Sequence, residues 1–202
     1  MSVAPERWLI AGLGNPGEQY AMTPHNLGFM AVDRVAGRNG IRVTRKECQA
    51  LVGLGRAGGR EAVLAKPQTF MNVSGPSVRG LMEKYEIGPE NTLLVYDELA
   101  LPWMSMRIRP KGSDAGHNGV RSVIRSLGTE GFPRLRLGIH PGRPIGDGAK
   151  FVLDPIRKAD WKDLDEFVEQ AALAIESIAA EGVEKAMAKF NRRAQGLKEE
   201  EQ

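Results

Sequence analysis

A histidine and a carboxylate stand at positions from which they could do acid–base chemistry. His25 lies just before a predicted helix, whose dipole disfavours a protonated imidazole, and a general base must be neutral. Asp97 directly follows residues 92–96, an apolar run that predicts a central strand, and α/β active sites form at such strand ends. A carboxylate there could orient an imidazole and stabilise its charged form. Taken singly, a capping histidine and a strand-end turn explain the two residues equally simply.

Three asparagines lie in glycine-rich or apolar turns. Asn15 follows the predicted strand 7–13 in the turn Gly-Leu-Gly-Asn-Pro-Gly, Asn72 stands between Met71 and a valine, and Asn118 follows His117 at a helix start. Each amide offers both a donor and an acceptor, which suits a peptide main chain as a ligand. Turn and helix-capping roles remain open for Asn72 and Asn118.

Several other chemistries are not favoured. Residues 12–17 match the dinucleotide fingerprint Gly-x-Gly-x-x-Gly, but the helical pattern begins only near residue 26, so no helix N-terminus would meet a pyrophosphate. No Gly-x-Ser-x-Gly elbow is present. The three histidines lack metal-ligand spacing, and Cys48 is the single cysteine. We therefore expect neither a metal nor a cofactor.

Strand and helix patterns alternate along the 202 residues and predict one α/β domain. We expect three layers, with a mixed, mostly parallel central sheet covered by helices on both faces. The domain should span residues 1–195, and residues 196–202 should form a charged, frayed tail. The predicted strands are 7–13, 50–56, 60–66, 92–96, 105–109 and 134–140; the predicted helices begin near 26, after Ser74 as N-cap, at 118, at 160 and near 183.

Positive charge is concentrated in one part of the chain. Residues 101–143 hold eight basic and two acidic side chains, whereas residues 160–202 hold six basic and eleven acidic ones. A phosphate-binding face and a scatter of solvated arginines are both consistent with this count. No segment approaches the length of a membrane span, and the N-terminus shows no secretory or transit signal, so we expect a cytoplasmic protein.

Five motifs in order between residues 12 and 139 resemble the bacterial peptidyl-tRNA hydrolase family. They are GLGNPG, Tyr20 with Thr-x-His-Asn-x-Gly, KPQTFMNVSG, DEL-x-LP, and GHNG followed by RLRLGI. The family has Arg where Pro24 stands, Asp where Ala100 stands, and a different sequence at residues 103–104 and 110–115. Pro24 and Ala100 lie at variable positions within two of the motifs, the other departures lie beside the motifs, and none replaces a proposed site residue.

The resemblance implies a role for each motif residue. It assigns His25 as the base that activates a water and Asp97 as its partner. The substrate-binding residues that it implies are Asn15, Tyr20, Met71, Asn72, His117 and Asn118, with Tyr20 near the tRNA 3′ end. The tRNA-binding residues that it implies are Arg107, Arg109 and Arg136. The partner would be a tRNA carrying a peptide, and the protein a monomer. A non-catalytic, RNA-binding relative of the splicing-factor type remains the alternative.

Overall fold

A computed structural model describes residues 7–199, with side chains from 7 to 191. Its framework is a seven-stranded sheet with the order β2-β3-β4-β1-β5-β7-β6. The strands are β1 Arg7–Gly12, β2 Arg45–Glu47, β3 Ala50–Ala57, β4 Arg60–Pro67, β5 Thr92–Pro102, β6 Met106–Arg109 and β7 Arg134–His140. The helices are α1 Leu27–Arg38, α2 Ser74–Tyr85, α3 Asn118–Leu127, α4 Gly148–Phe151, α5 Trp161–Glu181 and α6 Val183–Glu199.

The four central strands, β4, β1, β5 and β7, run parallel, and antiparallel pairs complete both edges. Apolar side chains of α1 and α5 pack on one face of the sheet, and those of α2 and α3 pack on the other. Because β1 and β5 are buried on both faces, they read as continuous apolar runs rather than as alternating strands. The predicted three-layer fold and its mixed sheet are confirmed.

The carboxyl ends of the parallel strands meet at one edge, and this sets the position of the candidate residues. Leu9–Gly12 of β1 pairs in register with residues 92–95 of β5, so the turn after β1 lies beside Asp97. Gly12 and Gly28 touch backbone to backbone: a Cβ on Gly12 would lie 2.1 Å from the Gly28 carbonyl oxygen. These glycines let α1 pack directly on β1, which is a structural reason for the first part of GLGNPG. No helix starts within that motif, in agreement with the argument against a dinucleotide site.

Some local predictions were wrong or incomplete. Ser74 is not the N-cap of α2 but its first residue; its hydroxyl donates to the Met71 carbonyl, because a 3-10 turn at Met71–Val73 leads directly into the helix. The sequence patterns missed β2 and α4. The predicted tail at 196–202 begins within α6, and residues 200–202 lie outside the described residues.

A side chain of α6 forms hydrogen bonds with one residue of the edge strand β6. The Asn191 Oδ1 accepts from the Ile108 N–H at 2.8 Å, and its Nδ2 donates to the Ile108 carbonyl at 3.1 Å. The amide thus satisfies the two outward backbone groups that a neighbouring strand would otherwise pair with. None of the helices within residues 7–199 is long and apolar enough to cross a membrane.

Candidate active site

A cleft of about 670 Å³ opens where the central strands end. Its walls come from the turn after β1, the turn before α1, the 3-10 turn before α2, the end of β5, the start of α3, and α4 with the residues that follow it. Six parts of the chain therefore contribute to one concave site. Of the eight residues predicted for catalysis or substrate binding, seven line this cleft: Asn15, His25, Met71, Asn72, Asp97, His117 and Asn118.

His25 and Asp97 form a hydrogen-bonded pair at the floor of the cleft. The His25 Nδ1 lies 2.9 Å and 3.0 Å from the two carboxylate oxygens. Because an ionised carboxylate only accepts, Nδ1 carries a proton and donates it. The Nε2 of a neutral His25 is then an unprotonated acceptor, and it has no hydrogen-bond partner among the described residues. The His25 side chain is 13% exposed, which leaves Nε2 accessible from the cleft.

The backbone around His25 is fixed on both sides. Pro24 opens the 3-10 turn Pro24–Asn26, and the His25 N–H donates to the Val152 carbonyl at 3.0 Å. The Asn26 side chain makes a two-point clamp on Asn15, accepting from its N–H at 2.9 Å and donating to its carbonyl at 3.0 Å. Sequence reasoning did not single out Asn26. The sequence offered one indication of its role. Asn26 precedes Leu27 and Gly28 at the start of an apolar helix face, and a polar side chain buried there must find hydrogen-bond partners.

Asp97 is 2% exposed and also accepts a hydrogen bond from His117, whose Nε2 lies 2.9 Å from Oδ1. Burial by itself raises the pKa of the Asp97 carboxyl. The contacts with His117, followed by those with His25, outweigh burial and hold this pKa well below its ordinary value. The carboxylate therefore stays charged at neutral pH and can stabilise an imidazolium.

The Asn15 side chain is oriented by the turn before α2. Its Oδ1 accepts from the Met71 N–H at 2.8 Å, so its Nδ2 remains as a donor with no partner among residues 7–191. Met71 itself is buried and packs where α3 begins, against Gly119. Asn15 is thus a preset hydrogen-bond donor in the wall of the cleft.

Asn72 and Asn118 are both exposed in the cleft. The Asn72 amide has no intramolecular partner among the described side chains, so both of its polar atoms are free. The Asn118 Oδ1 accepts from Arg121 at 3.3 Å, which leaves its Nδ2 as a donor. Asn118 is the first residue of α3 and not its N-cap. Two exposed apolar side chains, Phe70 and Leu153, complete the rim.

Tyr20 does not line the cleft. It belongs to the 3-10 turn Glu18–Tyr20, where its carbonyl accepts from the Thr23 hydroxyl at 2.8 Å. This contact holds the turn that precedes His25. A direct contact of the Tyr20 ring with substrate stays a prediction.

The donor set of His25, Asp97 and His117 also has the composition of a metal site, since one ligand atom of each lies within 4.8 Å of the others. Each imidazole is hydrogen-bonded to Asp97, however, and the Nε2 of His117 carries a proton, because its Nδ1 accepts from the Gly119 N–H. A protonated ring nitrogen cannot coordinate a metal. The arrangement fits a carboxylate that orients two imidazoles.

The basic face lies on β6 and β7, beside the cleft. Arg107 pairs with Arg136 across these strands, and Arg109 pairs with Arg134. Arg136 donates two hydrogen bonds to the buried Glu98 at 2.9–3.0 Å, so it is partly neutralised. Arg107 and Arg109 make no ion pair with the described side chains.

One of the eight basic residues of the segment 101–143, Arg134, is not part of this face, because it is 1% exposed. Its guanidinium donates to the carbonyls of Ser113 and Glu130 and lies 4.3 Å from the centre of the Phe132 ring. Arg134 therefore holds the loop that leads to α3 and is not available to a phosphate.

Comparison with known proteins identifies relatives over almost the full chain. The family model described as peptidyl-tRNA hydrolase matches residues 9–199. The peptidyl-tRNA hydrolase of Solibacter usitatus (strain Ellin6076) is 61% identical over 194 residues, 96% of this chain and 99% of the relative. That of Koribacter versatilis (strain Ellin345) is 49% identical over 186 residues, 92% of each chain. The crystal structure of peptidyl-tRNA hydrolase from Acinetobacter baumannii has a TM-score of 0.85 and 33% identity, covering 95% of this chain and 97% of that one. The chain belongs to the peptidyl-tRNA hydrolase family.

Proposed function

We propose that the chain hydrolyses the ester that joins a peptide to the 3′ end of tRNA, with His25 as the general base. The observation that carries this is the His25–Asp97 pair, whose geometry leaves the His25 Nε2 unprotonated and open to the cleft. The activity named for the relatives supports the same reaction. The roles of the individual residues rest on the geometry.

The reaction needs one water and no covalent intermediate. The His25 Nε2 removes a proton from water as the water oxygen attacks the ester carbonyl carbon. The resulting imidazolium is stabilised by the charged Asp97. When the tetrahedral intermediate collapses, the bond between the carbonyl carbon and the ribose oxygen breaks, and His25 returns the proton to that oxygen. The products are a peptide with a free carboxylate and a tRNA with a free 3′ end.

Charge that develops on the carbonyl oxygen needs preset donors. The Nδ2 groups of Asn15 and Asn118 are available because the Oδ1 of each is already occupied. We assign Asn118 to the water and the oxyanion, and Asn15 to the peptide main chain together with the unpaired amide of Asn72. The exposed Phe70 and Leu153 offer apolar contact for a peptide side chain or a terminal base.

An RNA-binding role without hydrolysis would use only the basic face. It would not require the buried Asp97, the tautomer that it imposes on His25, or three asparagines with free polar groups at one cleft. Burying a charged carboxylate costs several kcal/mol unless it is paired. The site therefore favours the enzyme.

The test is release of peptide from an N-acyl-aminoacyl-tRNA by wild type, His25→Ala and His140→Ala. His140 is the matched control: among the described residues its ring accepts from the Gly142 N–H alone, and it does not line the cleft. We expect a folded His25→Ala variant to lose about 10²–10⁴-fold in kcat, with a lowered melting temperature because the buried Asp97 loses one of its two partners, and His140→Ala to keep its turnover. A folded His25→Ala variant with wild-type turnover would remove His25 from the base role. Absence of hydrolysis in the wild type would leave the RNA-binding alternative.

We further propose that the protein acts as a monomer in the cytoplasm. All the candidate catalytic groups come from one chain and face one cleft, so no second copy is needed to complete the site. Light scattering at micromolar concentration checks the monomer, and a dimer whose interface covers the cleft would contradict it.

A further inference from the structure

Asp97 contacts two imidazoles, those of His25 and His117. The rings of His25 and His117 lie with their centres 5.0 Å apart, and each donates to the same carboxylate. The difference between them is on the far side of the ring. The Nε2 of His25 faces an open cleft, whereas both ring nitrogens of His117 are occupied within the protein.

The hydrogen bonds of His117 fix its tautomer. Its Nδ1 accepts from the backbone N–H groups of Gly119 at 3.1 Å and Val120 at 3.3 Å, because His117 is the N-cap of α3. A backbone N–H can only donate, so Nδ1 is unprotonated and the proton must lie on Nε2, which donates to Asp97. Protonation of Nδ1 would place a donor against two donors at the positive end of a helix. His117 is therefore held neutral, as the Nε2–H tautomer.

We propose that His117 is a positioning residue that acts through Asp97: a permanently neutral imidazole that orients the carboxylate toward His25 and withdraws part of its negative charge. This rests on the proposed function, in which His25 is the base. It replaces the substrate-binding role that the sequence resemblance implies for His117. The same side chain connects the start of α3 to Asp97 at the end of β5. It therefore also fixes the position of the neighbouring Asn118 in the cleft.

The other ionisable groups around the pair are accounted for. Glu98 on β5 is turned to Arg136, and the Tyr96 ring lies edge-on to His117 with centres 5.0 Å apart. The α4 side of the cleft brings only Gly148, Ala149, Val152 and Leu153, none of which ionises. Among the described residues, Asp97 is thus the one charged group in contact with both rings, and its charge is divided between them.

Dividing the charge has a consequence for the base. A carboxylate that gives its whole charge to His25 would favour the imidazolium and reduce the fraction of neutral base near neutral pH. With the His117 hydrogen bond removed, we expect the acidic limb of the kcat/KM profile to move upward by about half to one pH unit. The NMR titration midpoint of His25 should move by the same amount.

Two substitutions separate this role from helix capping. His117→Asn keeps a good N-cap, because its Oδ1 can accept from the first N–H groups of α3, but its shorter side chain does not span to Asp97. His117→Ala removes both contacts. We expect the asparagine variant to recover the melting temperature relative to the alanine variant while both show the same upward shift of the His25 midpoint. If His117→Asn restored both the wild-type His25 midpoint and the wild-type melting temperature, His117 would act only as a helix cap, and the proposal would be overturned.

The wild-type protein gives a direct readout as well. It has three histidines, so the long-range ¹H–¹⁵N spectrum of its imidazoles is readily assigned. At the pH of the activity assay, His117 should be the neutral Nε2–H tautomer, because its Nδ1 accepts from two backbone N–H groups. A protonated His117, or the Nδ1–H tautomer, at that pH contradicts the proposal. A midpoint shift in His117→Asn without a shift in the activity profile would instead remove His25 from the base role and leave the effect of His117 on Asp97 standing.

Discussion

The two arginines of β6 allow a quantitative test of where RNA binds. Arg107 is half-buried and Arg109 exposed, and neither is in an ion pair with a side chain in residues 7–191. Arg136 is a poorer probe, because its removal would strand the buried Glu98 without its partner and destabilise the sheet. The double variant Arg107→Ala/Arg109→Ala therefore removes two free positive charges at small cost to the fold.

The expected size of the effect follows from counterion release. Each phosphate contact contributes about 0.7–0.9 to the slope of log K against log salt concentration. Losing two contacts should flatten that slope by roughly 1.4–1.8, and weaken binding most at low salt. The effect should be specific to this edge of the sheet. The opposite edge, β2, is six inter-strand spacings away, about 29 Å at 4.8 Å each, which exceeds a Debye length of about 8 Å at physiological salt.

The assay is equilibrium binding of an intact deacylated tRNA at several salt concentrations. The matched control is Arg42→Ala/Lys46→Ala, which removes the same charge from exposed positions at the β2 edge. The control should keep the wild-type slope within about 0.3. In parallel, turnover is measured on a minimal substrate, a short CCA end bearing an N-acyl amino acid, which we expect both double variants to hydrolyse as wild type does.

Two results would refute the reasoning. A slope that falls equally in the two double variants would mean that net charge, and not the β6 face, governs binding. A large loss of minimal-substrate turnover in Arg107→Ala/Arg109→Ala would place these side chains in the catalytic cleft or in the support of the fold.

Three further predictions concern the cleft and the stability of the chain. Asp97→Asn should lower kcat with little change in tRNA affinity, because the amide cannot stabilise the His25 imidazolium; a pure binding defect in single-turnover experiments would argue against this. Asn72→Ala should reduce the preference for N-acylated over free aminoacyl-tRNA, and an unchanged ratio of kcat/KM would exclude a peptide-reading role. Burial, followed by the hydrogen bond to Glu47, raises the pKa of Tyr85 to about 12. The neutral Tyr85 therefore stabilises the fold below pH 10, and this contribution is lost as pH rises from 10 to 12. In Tyr85→Phe, the free energy of unfolding measured by circular dichroism should depend less on pH between 10 and 12 than in the wild type. An equal pH dependence in the two proteins would contradict this prediction.

The core of the fold was predictable because its signals are local. The apolar runs at 7–13 and 92–96 mark strands buried on both faces, and the Gly58-Gly59 connection marks the hairpin of β3 and β4. By contrast, β2 consists of Arg45, Lys46 and Glu47, which carry no apolar alternation and become a strand only by pairing with β3. The four residues of α4 are too few to show a helical period.

In the site, too, local signals were predictable and long-range contacts were not. The position of Asp97 after a central strand predicted its place in the cleft, and the family resemblance predicted the residues around it. Whether a charged side chain is free depends on partners that are far apart in sequence. Arg136 pairs with Glu98, 38 residues away, and Arg134 donates to the carbonyl of Ser113, 21 residues away. The N-cap role of His117 was likewise invisible, because it requires the backbone angles at the start of α3.

The Asn191 amide on β6 bears on how the chain behaves among its own copies. An edge strand with unsatisfied N–H and C=O groups is a template for pairing with another molecule. Here one amide side chain occupies both outward groups of Ile108, midway along a four-residue strand. Removal of α6 by proteolysis would uncover this edge between two arginines, whose mutual repulsion would be the remaining barrier to strand-to-strand association. Neutralisation of those arginines by a bound polyanion would lift that barrier, so a chain shortened before α6 should assemble faster in the presence of RNA than in its absence.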